Sequence, residues 1–250
     1  MERLQSITVL GSSAAASFKS TDQSKSWPLL LKNELPKEID FKVQIKSGLT
    51  FVRSIPELID DGKVELFIFH FGTAIGWPTS VVTRGIVLGV NFTSEFGFHQ
   101  SAFRSTNRIR QFKAKLRAIL RNSVKYALFF TGQYKTRINR REIEDQIQAV
   151  VDLAQKKSKR VIWIQHQALQ HRSILLERRS YLRYYKEIIK CLEKHESPNF
   201  TVITLPNSFL VQENYLLDCV HLSENGHLQL VELVKDTFRD VHGLRLKEGF

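Results

Sequence analysis

The sequence predicts an α/β protein in which helices cover both faces of a central parallel sheet, and two observations support this fold class. Short apolar runs alternate along the whole chain with amphipathic stretches. The apolar runs are continuous, which is typical of strands that are buried on both faces. We therefore expect a three-layer α/β/α sandwich with a central parallel sheet of about five strands.

The elements follow from these runs in chain order. Apolar runs predict strands at Ile7–Leu10, Phe41–Ile45, Val64–Phe71, Tyr126–Thr131, Val161–Gln165 and Thr201–Leu205. Apolar residues at helical spacing predict helices at Trp27–Leu35, Val52–Ile59, Ile109–Leu120, Arg141–Ala154, Leu175–Leu192 and Glu224–Phe238. No linker or repeat divides the sequence, so we predict a single domain over residues 1–250.

Ligands of such sheets bind at the carboxyl ends of the strands. The candidate site therefore lies among Gly11–Ser13, the segment after Phe71, the turn after Thr131, and His166. Residues 76–103 contain several Gly and Phe without a clear period, and we predict a long loop at the same rim that forms a lid or a substrate wall.

The positive charge of the chain is concentrated in one segment. The net charge is +12, yet residues 96–141 carry twelve Lys or Arg and no Asp or Glu, which leaves 25 basic and 25 acidic residues elsewhere. Such a segment attracts a polyanion, for example nucleic acid, an anionic lipid surface or an acidic glycan. The alternative is an ordinary solvated helix face.

Within this basic segment, residues 104–126 place Ile109, Phe112, Leu116 and Ile119 at helical spacing among cations. The pattern predicts a helix that packs its apolar face on the domain and leaves the other face positive. It lacks the interleaved aromatic residues of single-strand nucleic-acid binding, and no helix-turn-helix or zinc finger is present, so nucleic acid is an unlikely partner.

Cysteine content and hydropathy bear on the compartment. Cys191 and Cys219 have no spacing for a metal site or a disulfide framework, which fits a reducing compartment. The sequence shows no export signal and no apolar run long enough to span a membrane. We expect a cytoplasmic protein, with peripheral contact with an anionic inner membrane as one option.

The stretch "ITVLGSSAAAS", residues 7–17, is the first candidate for chemistry. A strand, a tight turn and alanines that can begin a helix would present a small polar group beside backbone N–H donors. Ser13 is the preferred nucleophile there. Ser13 as a simple helix cap and Ser12 as the nucleophile remain open alternatives.

The stretch "LLDCVHLSENGH", residues 216–227, is the second candidate. A carboxylate three residues before a histidine, here Asp218 and His221, can accept the imidazole Nδ1 proton and leave Nε2 to face a nucleophile. Other histidines receive structural interpretations: His70 as a hydrogen-bonded core group, and His166 as a rim or packing residue rather than a second base. Trp163 and Trp77 could both line a sugar site, although aromatic residues next to strands more often belong to the core.

Together these motifs resemble those of the SGNH (GDSL-like) hydrolase superfamily. "VLGSS" matches the first block with Ser13 in the nucleophile position, and "DCVHLSENGH" matches the last block. The resemblance implies a flavodoxin-like sheet and Ser13, Asp218 and His221 as the catalytic residues. It also implies an oxyanion hole from backbone N–H groups of Ser13, Gly48 and Gly72, with no metal and no cofactor.

The third block departs from the family. The family has Gly-x-Asn-Asp, whereas this sequence keeps Gly72 but has Ala74 and Ile75 in the two following polar positions. Loss of one oxyanion donor typically lowers turnover about a hundredfold to a thousandfold. Replacement donors are drawn from Thr73, His70, Asn91 and Gln133.

The resemblance and the charge together predict a function. We expect an esterase or acyltransferase for O-acyl, chiefly O-acetyl, groups of an anionic surface glycan or its precursor, as in members linked to capsule and lipopolysaccharide assembly. An acyl donor is a further expected partner, and the expected substrate contacts are Thr73, Trp77, Arg104 and Arg108. The alternative is a noncatalytic protein that binds polyanions or glycans on a hydrolase-like scaffold.

Overall fold

The computed structural model describes residues 4–12, 14–16, 23–45, 64–72, 78–80, 86–87, 90–91, 108–132, 134–136, 140–169, 175–216 and 220–242. The strands are β1 (Ser6–Gly11), β2 (Asp40–Ile45), β3 (Val64–Phe71), β4 (Pro78–Ser80), β5 (Ile86–Val87), β6 (Val90–Asn91), β7 (Tyr134–Thr136), β8 (Ser158–Gln165) and β9 (Phe200–Thr204). The α-helices are α1 (Trp27–Glu34), α2 (Arg108–Phe130), α3 (Arg140–Lys157), α4 (Leu175–Glu193) and α5 (Glu224–His242).

A five-stranded sheet forms the centre, in the order β2-β1-β3-β8-β9, and each neighbouring pair is parallel. This is the flavodoxin-like strand order, and it confirms the predicted fold class. Five of the six predicted strands belong to this sheet. The central strands β1, β3 and β8 form because runs of branched and aromatic residues fit a pleated surface that is covered on both sides, whereas the edge strand β2 contains only exposed and half-buried residues.

Alternation along the strands divides the core into two layers. Phe67, Phe69 and Trp163 face one layer, where they pack with residues of α3 and α4 such as Val150, Val151, Ile188 and Leu192. Leu66, Ile68, Ile162 and Ile164 face the other layer, where they pack with residues of α1 and α5 such as Trp27, Leu31, Val231 and Phe238. The result is the predicted α/β/α sandwich.

One predicted strand is wrong. Residues Tyr126–Thr131 are helical up to Phe130, because α2 continues through them instead of ending near Leu120. The helix ends where Thr131 Oγ1 donates to the carbonyls of Ala127 and Leu128 and Gly132 adopts a φ of 71°, a usual end signal. The turn after Thr131 therefore does not follow a sheet strand and is not part of the carboxyl edge.

The expected packing of α2 is also wrong. Ile109, Phe112, Leu116 and Ile119 are exposed rather than buried against the domain. No residue of α2 belongs to either core layer among the described residues, and its main contact there is with β7. The amphipathic pattern fixed the helix, but it did not specify what covers the apolar face.

The rim loop predicted at 76–103 contains short paired strands. β5 pairs with β6, and β4 pairs antiparallel with β7 from beyond α2. The other residues of the predicted rim loop lie outside the described residues. The same is true of the helix predicted at Val52–Ile59 and of Cys219. Cys191 is a buried free thiol, and burial raises its pKa.

Candidate active site

Ser12 joins the carboxyl ends of two neighbouring strands. Its N–H donates to the carbonyl of His70 at 3.1 Å, and its Oγ accepts the N–H of Gly72 at 2.7 Å. A Cβ on Gly72 would lie 2.7 Å from this Oγ, so a larger residue there would displace the Ser12 side chain. Ala14 also donates its N–H to Ser12 Oγ, at 3.3 Å. The segment after β1 is therefore fixed to the end of β3 by the Ser12 side chain.

The alanines after Ser13 form a turn. Ala14 and Ala15 are buried in that turn, and Ala15 N–H donates to the carbonyl of Ser12 at 2.9 Å. The sequence allowed a helix to begin at these alanines, but the described residues 14–16 contain none.

A chain of buried aromatic nitrogens runs across the same end of the sheet. Trp27 Nε1 donates to His70 Nδ1 at 2.9 Å, and His70 Nε2 lies 3.2 Å from His166 Nδ1. His166 Nε2 lies 2.6 Å from the carbonyl oxygen of Val220. Both histidines are fully buried. The predicted core role of His70 is thereby confirmed, and His166 is a packing residue.

The hydrogen-bond directions fix the tautomers. An indole N–H can only donate, so His70 Nδ1 must accept and the proton of neutral His70 is on Nε2. His166 Nδ1 then accepts, and its proton on Nε2 is donated to Val220. A second proton on His70 would oppose the Trp27 donor, and burial lowers the pKa of His70 well below its usual range, with His166 and His227 adding to the effect.

The turn that carries His221 is anchored on both sides. Leu216 N–H donates to the His221 carbonyl at 2.8 Å, and Tyr215 forms an antiparallel bridge with Leu222. The Tyr215 hydroxyl donates to the carbonyl of Gln167 at 2.7 Å, just beyond β8. His221 itself is buried. The histidine is thus held at the carboxyl edge by its chain neighbours.

The start of α5 is packed closely beside this turn. Ser223 Oγ accepts the N–H of Gly226 at 3.1 Å, which is the usual capping bond of a helix N-terminus. A Cβ on Gly226 would lie 2.0 Å from the carbonyl oxygen of Asn214, so no larger residue fits. Asn214 is buried, and its side chain donates to the Phe209 carbonyl at 2.9 Å.

The predicted site residues divide into two groups. Three are described: His221 is buried in the anchored turn, Gly72 follows β3, and Arg108 is exposed at the first residue of α2. The others lie outside the described residues, and their roles stay predictions: Ser13, Asp218, Gly48, Thr73, Trp77 and Arg104.

The structure narrows the choice of oxyanion donors. His70 is excluded, because Trp27 and His166 engage its two ring nitrogens. The N–H of Gly72 is engaged by Ser12, so it can serve an oxyanion only when that hydroxyl is displaced. Asn91 lies in β6, while Thr73 and Gln133 are outside the described residues. In the described part of the chain, no cluster of His, Cys, Asp and Glu is arranged to hold a metal ion.

The buried histidine chain is the feature that sequence reasoning missed. Alternation gave a usable signal, because His70 follows Leu66 and Ile68 on one face of β3 and His166 follows Ile162 and Ile164 on the same face of β8. The two strands are neighbours in register. Their adjacency, however, is a property of the sheet order and could not be read from either segment alone.

The five-stranded order and the two helical layers are shared with solved structures of esterases and lipases. Solved structures with this fold cover nearly the whole chain. A lipase/acylhydrolase from Enterococcus faecalis is 14% identical with a TM-score of 0.57 and covers 98% of this chain and 100% of its own. A carbohydrate acetylesterase family member from Sinorhizobium meliloti is 11% identical with a TM-score of 0.54, covering 96% and 100%.

A mutant of an acetyl-xylooligosaccharide esterase from Geobacillus is similar to the same degree. It is 11% identical with a TM-score of 0.53, and the match covers 98% of this chain and 97% of the esterase. The sequence matches no protein-family model and no curated protein. Because these sequence identities are low, the similarity between this chain and the solved structures is a similarity of fold.

Proposed function

We propose that the chain is an SGNH-type serine esterase or acyltransferase acting on O-acyl, chiefly O-acetyl, groups of an anionic surface polysaccharide or its precursor. One observation carries the proposal. Val220, next to His221, is bonded through His166 to His70, and the His70 carbonyl accepts the N–H of Ser12, next to Ser13. The two sequence motifs thus belong to one hydrogen-bonded assembly at the carboxyl edge, where ligands of such sheets bind.

In the proposed reaction His221 Nε2 removes the proton of Ser13 Oγ, and Oγ attacks the acyl carbonyl carbon. The tetrahedral intermediate collapses with cleavage of the ester C–O bond, and the leaving sugar alkoxide takes the proton from His221. Asp218 holds the imidazole tautomer. Water or a second sugar hydroxyl then gives its proton to His221 and attacks the acyl carbon, the bond from that carbon to Ser13 Oγ breaks, and Oγ takes the proton back, which completes hydrolysis or transfer.

Backbone N–H groups of Ser13 and Gly48 are the proposed oxyanion donors, with Gly72 joining when the ester displaces Ser12 Oγ. Ser12 is assigned a different task from Ser13. Its Oγ accepts two backbone N–H groups, which is the role of a bracing residue. This division supports Ser13 over Ser12 as the nucleophile.

The anionic character of the substrate is proposed from the charge distribution. Twelve cations without an acid over residues 96–141, including Arg104 and Arg108, favour an acidic glycan. Thr73 and Trp77 are proposed as further substrate contacts. The similar structures of an acetyl-xylooligosaccharide esterase and a carbohydrate acetylesterase family member support an O-acetyl ester.

The competing proposal is a noncatalytic glycan-binding protein on the same fold. Ala74 and Ile75, which replace the polar residues of the third block, favour it. It predicts salt-sensitive binding to acidic polymers and no ester turnover.

The proposal is tested by measuring the turnover of an aryl acetate in variants of the two adjacent serines, Ser12 and Ser13. Ser13→Ala should abolish turnover, whereas Ser12→Ala should keep part of it and lose roughly 1–3 kcal/mol of unfolding free energy, because Gly72 N–H loses its acceptor. Activity that survives Ser13→Ala but not Ser12→Ala would assign the nucleophile to Ser12. Equal activity in both variants would contradict the serine mechanism.

The substrate class is tested with two acetylated polymers. Acetate release from acetylated alginate, which is anionic, should exceed release from acetylated xylan, and added salt should lower only the former. Equal rates at low and high salt would contradict the anionic substrate while leaving the esterase intact.

A further inference from the structure

Helix α2 exposes a long apolar face. Ile109, Phe112, Leu116 and Ile119 are each more than half exposed, and Tyr126 and Phe130 continue the same three-and-four spacing as exposed residues. We name these six residues the apolar stripe. Protein surfaces that face water rarely carry an apolar face of this length. Large exposed apolar patches usually mark interaction sites.

The charge of the same helix specifies the partner. Residues 108–130 include seven Lys or Arg and no Asp or Glu. Arg108 and Lys113 are exposed beside the apolar stripe. A partner must therefore be apolar where it contacts the stripe and negative around it.

A second copy that docks its own stripe against this one does not meet this requirement. Two stripes in contact would bring seven cations of each helix together without a carboxylate from either helix, and like charges repel. Nucleic acid satisfies the charge but leaves Ile109, Leu116 and Ile119 without an apolar environment. An anionic lipid surface satisfies both conditions.

We propose that α2 is a membrane-docking helix that lies in the interface of an anionic lipid bilayer, with the apolar stripe among the outer acyl segments and its cations at the headgroups. The helix has 23 residues, so it extends about 35 Å along the surface. No helix among the described residues is long and apolar enough to cross a bilayer.

Sedimentation with lipid vesicles tests the proposal on the full chain. Vesicles of phosphatidylcholine alone are compared with an equal mixture of phosphatidylcholine and phosphatidylglycerol. We expect binding to the mixture, weakened by salt, and little binding to phosphatidylcholine. Lys113→Gln should weaken the binding about fivefold. Absence of binding to the mixed vesicles at low salt, or equal binding to both compositions, would overturn the proposal.

A matched pair of leucines separates the apolar stripe from general surface effects. Leu116 is 55% exposed and Leu228 on α5 is 54% exposed, so Leu116→Ser and Leu228→Ser remove the same side chain at equal exposure. Leu116→Ser should weaken binding to the mixed vesicles roughly tenfold, and Leu228→Ser less than about twofold. Unchanged binding of Leu116→Ser would indicate a purely electrostatic polyanion surface and would overturn lipid docking.

The result of the vesicle-binding experiments does not depend on the esterase proposal. Vesicle binding and aryl acetate turnover are independent readouts, since the substitutions on α2 leave Ser13 and His221 in place. A chain that binds vesicles without turnover, or turns over ester without binding vesicles, refutes only one of the two proposals.

Discussion

For His166 the sequence predicts a rim or packing role rather than that of a second base, and its hydrogen bonds agree with the packing role. Its Nδ1 faces His70 and its Nε2 faces the carbonyl of Val220. A general base needs a nitrogen that can reach the proton it removes. His166 therefore acts as a positioning residue, because it joins the end of β3 to the turn before His221.

His166→Phe tests this role. The substitution leaves the Val220 carbonyl and the His70 Nε2–H without their partner in the core, and each unpaired buried group costs about 1–3 kcal/mol. We expect the free energy of unfolding, measured with urea, to fall by about 2–5 kcal/mol.

The control is His195→Phe. His195 is only partly buried and contacts a single side-chain oxygen, that of Gln148, at 2.9 Å. Its substitution should cost less than about 1 kcal/mol. Equal losses in the two variants would mean that the His166 hydrogen bonds do not stabilise the turn.

At the scale of elements, the sequence predicted the helices and strands that depend on the spacing of apolar residues. It missed those that depend on the adjoining segments of the chain. The strand Val64–Phe71 is found within its predicted bounds, because the residues from Leu66 to Phe71 are all apolar except His70 and suit a strand buried on both faces. The run from Tyr126 to Phe130 has a similar composition, but it follows a helix without a breaker before Gly132. Propagation of an existing helix then outweighs the strand preference of the run.

The junction of α1 and α5 contains the second buried histidine contact. Trp27 N–H at the start of α1 donates to His227 Nδ1 at 3.3 Å, and Lys235 Nζ pairs with Glu34 at 2.6 Å further along. Burial lowers the pKa of His227 to about 4, with His166 and His221 adding to the fall and the Ala16 carbonyl opposing it. The junction is thus formed with a neutral His227.

This junction predicts lower stability in acid. The unfolded chain binds a proton at His227 below pH 6.5, whereas the folded chain resists it until about pH 4. The free energy of unfolding therefore falls as the pH falls through this window, by about 3 kcal/mol for this residue. His70, whose pKa is also lowered, adds a loss of the same sign.

Urea unfolding at pH 7.5 and pH 4.5 measures the effect. His227→Asn keeps an acceptor near the position of Nδ1 but cannot titrate, so its unfolding free energy should fall less than that of the unchanged chain between the two pH values. The same pH dependence in both proteins would exclude His227 as its source.

For the whole molecule, the order of the motifs predicted more than any motif alone. The first candidate block follows β1 and the last precedes α5. Lys25 and Trp27, at the start of α1, contact Glu224 and His227 at the start of α5. Sequence could not predict that His70 and His166 link the two blocks, because this link depends on the register of β3 against β8. The first four residues of the apolar stripe likewise followed from helical spacing, but their exposure did not.

The central claim is that Ser13 is activated by His221, and covalent labelling tests it most directly. A fluorophosphonate should label the intact chain once, with peptide mapping placing the label on Ser13. Labelling should be at least about a hundredfold slower in His221→Ala, because the general base is removed. A label on another residue, no label at all, or an unchanged rate in His221→Ala would contradict the account.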